Sequence, residues 1–201
     1  MPRQKKNPNH PKKGSTIKVE PIRQLQDIRR IKKHLSGAPR DLCIFTLGMN
    51  TGYRASELLS IKVGDVEHLR AGDLFELKQQ KTKKYRATTF NQTVVDAIQN
   101  WLEVHPDPRP RTPLFISQKS GSALTVSTFG NMVKGWCRDA GMNGNFGSHS
   151  LRKSWGYHQR VQNNVGIPVL MTAFGHATQQ QTLEYLCIQS EEIQELYALE
   201  L

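Results

Sequence analysis

Cysteines, acidic residues and long apolar runs are all scarce in this sequence. The cysteines, Cys43, Cys137 and Cys187, form no C-x-x-C pair and no metal-type Cys/His spacing, so the sequence supports neither a disulfide framework nor a zinc site. The longest apolar run, LCIFTLGM, is well short of the roughly 18 residues that a membrane-spanning helix needs. No hydrophobic signal segment follows the basic N-terminus. These absences predict a soluble cytoplasmic protein with no membrane partner.

The shortage of acidic residues leaves a large positive charge. The chain has 28 Lys+Arg against 17 Asp+Glu, a formal net charge of +11. Such a charge points to a polyanionic partner, and nucleic acid is favoured over an acidic membrane surface. The length of 201 residues predicts one domain, with two small domains as the alternative.

Residues 1–20 are predicted to form a basic, flexible N-terminal arm. The stretch 1–19 combines lysines, arginine and three prolines with no acidic residue, so it is too polar to pack by itself. We expect it to become ordered on contact with DNA phosphates, and a solubilising tail is the alternative. The lysines proposed to contact DNA are Lys5, Lys6, Lys12 and Lys13.

Hydrophobic periodicity over residues 21–201 predicts a mainly helical domain with one small antiparallel sheet, the α+β class. Apolar residues recur at helical spacing in several segments: 21–35, 39–49, 54–61, 94–104, 124–140 and the amphipathic stretch after Tyr185. Residues 73–90 instead alternate apolar and polar side chains around a lysine-rich centre, which is typical of a β-hairpin that turns near residues 82–84.

The densest group of reactive side chains lies in residues 149–185. It contains the H-x-L-R box of His149 and Arg152, which lie at i and i+3 on one helical face and can reach a common anion. A glycine then allows a tight turn before His176, and Tyr185 follows in TLEYL. Far upstream, an R-x-x-E-L box supplies Arg54.

These residue types suit the cleavage of a DNA phosphodiester. Arg54 and Arg152 can donate planar forks to the non-bridging phosphate oxygens and stabilise their charge in the transition state. His149 can bind the same phosphate or exchange a proton with the tyrosine, and His176 can add a further donor. Tyr185 can attack the phosphorus and form a phosphotyrosine ester, which needs no ATP.

The order of the boxes, R-x-x-E-L, H-x-L-R, G-H and then tyrosine, resembles the tyrosine recombinases, the phage-type integrase family, over roughly residues 22–190. The resemblance implies the catalytic-domain fold of that family and site-specific cleavage and rejoining of double-stranded DNA through a 3′-phosphotyrosine intermediate. It also implies no metal or other cofactor, assembly as a homo-oligomer (a tetramer) on DNA, and location at the nucleoid. Within the R-x-x-E-L box, Glu57 would hold the Arg54 guanidinium.

In this family a lysine on a β-hairpin enters the active site and protonates the departing 5′ oxygen. In KTKKYR, Lys81 matches that lysine best, and Lys83 or Lys84 would take its place if the register is shifted. Lys83, Lys84 and Arg86 are otherwise expected to contact DNA. A solvated, charged turn without catalytic function is the alternative.

Two alternative functions stay open: DNA relaxation of the type IB topoisomerase kind, and DNA binding by an inactive protein of the same fold. Many family members carry an extra N-terminal domain, whereas fewer than about 25 residues precede the first predicted helix here. In size the chain is similar to the minimal invertases that switch fimbrial promoters, so we expect it to be complete. The C-terminal amphipathic helix can dock on its own domain or on a neighbouring subunit, and the sequence does not distinguish integration, inversion and resolution.

Overall fold

The computed structural model describes residues 19–78, 85–187, 194 and 197–198. Within these ranges the elements follow in the order α1 (Leu25–His34), α2 (Pro39–Thr51), α3 (Ala55–Leu58), α4 (Val63–Val66), β1 (Leu74–Lys78), β2 (Tyr85–Thr89), α5 (Gln92–Leu102), α6 (Val126–Asp139), α7 (Ser150–Val161), α8 (Ile167–Phe174) and α9 (Gln179–Leu186). The predicted mainly helical class with a small antiparallel sheet is confirmed.

Some of the predictions fall outside the described residues. These are the arm lysines Lys5, Lys6, Lys12 and Lys13, the hairpin lysines Lys81, Lys83 and Lys84, and most of the predicted C-terminal helix. The strands on either side of the hairpin turn are described, and they pair antiparallel from Leu74 opposite Thr89 to Lys78 opposite Tyr85.

Helix α2 lies at the centre of the main core. Its residues Ile44, Phe45 and Leu47 are fully buried, because α5 packs on one side of the helix and α7 on another. Burial on several sides requires an apolar helix without a wide polar face. Helix α5 instead buries an apolar stripe along one side. The indole of its residue Trp101 donates a hydrogen bond of 2.7 Å to the carbonyl of Leu114, which fixes the chain segment after α5.

Residues 20–23 lie before the first helix, and Ile22 packs against α7. The amide of Ile22 donates to Ser154 Oγ at 2.7 Å, and the Ile22 carbonyl lies 2.9 Å from His158 Nε2. The helix that the sequence placed over residues 21–35 therefore begins only at Leu25. That residue is 43% exposed, whereas Ile31 is fully buried.

Helices α7, α8 and α9 share a second, smaller core. Leu170, Phe174 and Leu186 are buried in it, and the partly buried side chains of Trp155 and Tyr185 pack against them. This small core matters for function because it carries the tyrosine of the TLEYL segment. No helix in the described part of the chain is both long enough and apolar enough to span a membrane.

The contact of α7 with α8 and α9 depends on the missing side chain of Gly156. A Cβ at this position would lie 2.3 Å from Phe174 Cζ and 2.8 Å from Leu186 Cδ2, and both of those side chains are fully buried. We therefore expect Gly156→Ala to lower the free energy of unfolding by about 1–3 kcal/mol, as overpacking of a core typically does. Urea denaturation would measure the change.

Gly135→Ala in α6 is the matched control, because a Cβ there meets no atom within 4 Å. An alanine in a helix is favoured over glycine by up to about 1 kcal/mol, so this variant should be as stable as the original protein or more stable. Equal effects of the two substitutions would contradict the proposed packing of α7 against α8 and α9.

Candidate active site

The first arginine of the site is held by the turn after α2. That helix ends at Thr51 and is capped by Gly52, whose φ of 58° is in the left-handed region that glycine adopts without strain. The chain then presents Arg54 at the N-cap of α3. The Arg54 amide donates to Glu57 Oε2 at 2.7 Å, and Arg54 Nη1 donates to Glu57 Oε1 at 2.6 Å. Glu57 thus holds both the backbone and the guanidinium of Arg54.

The second arginine comes from α7 and meets the first at one carbonyl. Arg152 is 2% exposed, and its guanidinium donates to the carbonyls of Gly52 and Phe174. Arg54 Nη2 donates to the same Phe174 carbonyl at 3.3 Å. Phe174 is the last residue of α8, where the carbonyls have no partner inside the helix and favour positive charge. The end of α8 therefore holds the two guanidinium groups side by side.

A third arginine, Arg86 on β2, also points into this cluster. Its guanidinium donates to the Thr51 carbonyl at 2.9 Å and the Gly52 carbonyl at 3.4 Å, and it lies 3.6 Å from Glu57 Oε2. The side chain is 13% exposed. The sequence pattern proposed Arg86 as a DNA contact, and in the structure its side chain supports the turn that carries Arg54.

The tyrosine on α9 reaches the histidine of the H-x-L-R box. His149 is the N-cap residue of α7, and its Nδ1 lies 3.3 Å from the hydroxyl of Tyr185. The Cζ of Arg152 is 6.0 Å from the centre of the Tyr185 ring. Residues that are 36 positions apart in the chain are thereby brought into one cleft with both arginines.

The second histidine, His176, packs beside the tyrosine. The predicted tight turn is present at Gly175, with φ of 64°. It places the His176 ring parallel to the Phe174 ring at 5.0 Å and 5.2 Å from the Tyr185 ring. His176 Nδ1 contacts Thr182 Oγ1 at 3.0 Å, which fixes the orientation of the imidazole.

Burial and the clustered cations shift the pKa values of the site. Burial raises the pKa of Tyr185, and the charge and hydrogen bond of Arg152 oppose this shift. Burial also lowers the pKa of Arg152 to about 10, so it stays charged at neutral pH. Loss of hydration, and then the charges of Arg152 and Arg54, lower the pKa of His149 and lower that of His176 to about 4. A cleft that holds cations and neutral imidazoles is suited to an anion.

Among the described tyrosines, Tyr185 is the one whose hydroxyl contacts His149, whereas Tyr53 is buried with its ring 5.0 Å from the guanidinium of Arg86. Tyr157 is on α7, but its ring packs against His158 and lies under the guanidinium of Arg23. Tyr53 is 1% exposed in the main core, and Tyr85 is 66% exposed on β2. The geometry therefore favours Tyr185 as the reactive tyrosine.

The sequence pattern missed several residues that build the site. The contact of Arg86 with the turn before Arg54 was not predicted, and Phe174 and Thr182 received no role. Lys153 was noted only as a departure from the family pattern, yet it is 6% exposed and its amino group lies 5.1 Å from the centre of the Tyr185 ring. Its position directly after Arg152, the arginine of the H-x-L-R box, was the sequence feature that could have indicated a role in the site.

The chain matches the model of the phage integrase family over residues 21–192. It belongs to this family. Members of the family are tyrosine recombinases, enzymes that break and rejoin DNA, so the function class indicated by the order of the boxes is confirmed.

Individual family members support the same assignment. The probable integrase/recombinase YoeC of Bacillus subtilis (strain 168) is 26% identical over 180 residues, which cover 89% of this chain and 95% of that protein. The tyrosine recombinase XerC of Proteus mirabilis is 26% identical over 192 residues, or 93% of this chain and 60% of that protein. The chain therefore spans nearly all of the first relative and little more than half of the second.

Solved structures show the same fold. A crystal structure of XerA recombinase superposes with a TM-score of 0.73 at 20% sequence identity, covering 92% of this chain and 66% of that one. A lambda integrase dimer bound to a COC' core site gives a TM-score of 0.64 at 14% identity, covering 86% of this chain and 49% of that one. The fold of this integrase-family chain is thus that of tyrosine recombinase catalytic domains.

The low pKa of His176 predicts how the stability of this recombinase depends on pH. The folded-state value of about 4 lies below the roughly 6.5 of an unfolded histidine, so the native protein binds fewer protons between these values. The contribution of His176 to stability should be complete above about pH 6.5 and should be lost as the pH falls towards 4. Thermal unfolding between pH 4 and 7 would measure the loss.

His176→Gln should make this loss of melting temperature shallower, because glutamine does not titrate. His68→Gln, at an exposed position, is the control for exchanging a histidine for a glutamine. If both variants followed the curve of the original protein, another group would be responsible.

Proposed function

We propose that this tyrosine recombinase cleaves and rejoins specific sites in duplex DNA through a phosphotyrosine bond to Tyr185, without ATP or a metal ion. The contact of 3.3 Å between the Tyr185 hydroxyl and His149 Nδ1, beside two anchored guanidiniums, is the observation that carries the proposal. An inactive DNA-binding protein needs no tyrosine hydroxyl at this position, so the contact favours catalysis over binding alone.

The scissile phosphate would lie against Arg54 and Arg152. Each guanidinium has five N–H donors, and the carbonyls of Gly52 and Phe174 and the carboxylate of Glu57 use only part of them. The remaining donors can bind the non-bridging oxygens, whose negative charge grows in the transition state. Because both groups are fixed before DNA arrives, little reorganisation is needed at the moment of reaction.

The proton of the nucleophile would pass to His149. The low pKa of His149 keeps its imidazole neutral, so Nδ1 can accept the Tyr185 proton while the phenolic oxygen attacks phosphorus. The bond to the 5′ oxygen breaks, and in the manner of the family the leaving oxygen takes a proton from Lys81. The products are a 3′-phosphotyrosine ester and a free 5′-hydroxyl, and attack of a 5′-hydroxyl on the ester reverses the step.

His176 would bind a phosphate oxygen. Its Nδ1 is occupied by Thr182, which leaves Nε2 for the substrate. The stacking of its ring on Phe174 holds it beside Tyr185 and leaves it little freedom to turn away.

We further propose that residues 21–201 form the catalytic domain, that the basic arm of residues 1–20 follows the DNA phosphates, and that four copies act together on two paired sites. The net charge of +11 supports the DNA partner and an association that weakens with salt. The lambda integrase structure is a dimer on its core site, and a XerH recombinase structure contains a palindromic difH substrate. Such pairing of subunits on DNA would place this chain at the nucleoid.

The assignment of the nucleophile predicts which tyrosine forms the covalent bond. Protein–DNA adducts would be trapped with detergent from cells that express the protein, and the attached DNA would be sequenced. Tyr185→Phe should abolish the adducts because no hydroxyl remains to attack. Tyr157→Phe should keep them, because residue 157 is rotated about 140° from Arg152 on α7.

Adducts that persist in Tyr185→Phe and vanish in Tyr157→Phe would reassign the nucleophile. If the unmutated protein formed no adduct at any site, the inactive DNA-binding alternative would stand. The sequenced fragments would also supply the DNA site for kinetic work.

Lys81 is outside the described residues, and its role can be tested chemically. Lys81→Ala should slow cleavage by roughly 10²–10⁴, as the loss of a general acid does, with little change in DNA binding. A substrate with sulfur in place of the bridging 5′ oxygen needs no acid, because a thiol has a pKa of about 8.5. On that substrate the variant should cleave almost as fast as the original protein.

Arg152→Ala is the matched control. Its cleavage rate should be no higher on the sulfur-bridged substrate, since the proposed partners of Arg152 are the non-bridging oxygens. If Lys81→Ala stayed slow on the sulfur substrate, Lys81 would be a phosphate contact. Rescue of Lys83→Ala or Lys84→Ala instead would move the general acid to that position.

A further inference from the structure

Lys153 lies inside the protein beside the reactive tyrosine. It is 6% exposed, its Nζ donates to Cys187 Sγ at 3.3 Å, and it lies 5.1 Å from the centre of the Tyr185 ring. Within the described residues, no carboxylate forms an ion pair with it. A buried amino group is costly for stability unless it is paired, and in the described part of the chain the partners of Lys153 are a sulfur atom and an aromatic ring, which points to a task beside Tyr185.

We propose that Lys153 is a positioning residue for the nucleophile: it holds the Tyr185 ring and the end of α9 against α7, and it favours the ionised phenol during attack. The inference rests on the proposed function, because it takes Tyr185 as the nucleophile.

The end of α9 is held from two sides. Cys187 follows the helix with φ of 62°, a left-handed conformation that costs energy for any residue other than glycine, asparagine or aspartate. Its carbonyl accepts a hydrogen bond of 2.8 Å from Arg23 Nη2, and its sulfur accepts the one from Lys153. Two cations from separate parts of the chain thus fix the residue that lies two positions after Tyr185.

The amino group of Lys153 also acts on the charge of the ring. A cation near an aromatic ring is attracted to it, and the attraction grows when the phenol loses its proton and becomes negative. Among the described residues, the titratable and charged groups that face Tyr185 are Arg54 before α3, His149, Arg152 and Lys153 at the start of α7, His176 after α8 and Cys187 after α9.

The same charge acts on the proton acceptor. After burial, Arg152 and Arg54, it is a further cause of the low pKa of His149. Lys153 therefore keeps the imidazole neutral before the reaction and stabilises the negative charge that develops on the phenolic oxygen as its proton leaves. A lysine with only a packing role would have neither effect.

The test compares Lys153→Met, which keeps the length of the side chain without its charge, with Lys153→Arg, which keeps the charge. The rate of covalent complex formation would be measured between pH 6 and 9 on the DNA fragment recovered from the adducts, together with the melting temperature. Lys153→Met should form the covalent complex about tenfold more slowly, and the rising part of its pH–rate curve should lie about one pH unit higher. Its melting temperature should be unchanged or higher, because a buried charge is removed.

Lys153→Arg should cleave within about threefold of the original protein, because its guanidinium can reach the ring and the sulfur. Lys119→Met is the control for loss of one positive charge, since Lys119 is exposed on the turn between Ser117 and Gly121. Its pH–rate curve should keep the original midpoint.

A normal rate and pH–rate curve for Lys153→Met would overturn the inference and leave a packing role. Weaker DNA binding with an unshifted curve would also overturn it, by making Lys153 a phosphate contact. If Lys153→Met failed to fold, Cys187→Ala would decide, since it removes the acceptor of the Lys153 hydrogen bond. A severalfold slower cleavage is expected, and an unchanged rate would overturn the inference.

Tyr185→Phe, measured in parallel, separates this inference from the proposed function. If Tyr185→Phe still formed adducts, both would fail. If Tyr185→Phe were inactive and Lys153→Met behaved as the original protein, only the role of Lys153 would be rejected.

Discussion

The site depends on the buried carboxylate of Glu57. It binds Arg54 at 2.6 Å and lies 3.6 Å from Arg86 and 4.0 Å from Arg152. Without this carboxylate, three guanidinium groups would repel one another in a region of low dielectric constant. With it, three positive charges meet one negative charge and two remain uncompensated. The cluster is thus stable enough to form and still positive enough to receive a phosphate.

Phe174 connects this charged cluster to the packing of α7, α8 and α9. Its carbonyl accepts hydrogen bonds from Arg54 and Arg152, while its ring contacts those of His176 and Tyr185. One buried residue therefore sets the separation between the groups that bind the phosphate and the group that attacks it. Such fixed geometry is what phosphoryl chemistry requires, because its catalysis consists mainly of positioning and charge stabilisation.

The site carries an excess of positive charge, which favours the binding of an anion. Cations and loss of hydration hold the pKa values of His149 and His176 low, and burial holds that of Tyr185 high. A DNA phosphate would relieve the repulsion among the cations, so the energy of binding can be used to order the reactive groups. Lys153 adds a further positive charge beside the Tyr185 ring.

The sequence alone determined the local features of this protein: the hairpin strands, the positions of α2, α5 and α6, and the spacing that lets Glu57 hold Arg54. These follow from periodicity and capping, which act over a few residues. Only the tertiary structure decided that Leu25 is exposed, that Arg86 turns inward, that Lys153 is buried and that His149 meets Tyr185. The partners in those contacts lie far apart in the chain, so only the packing of whole helices brings them together.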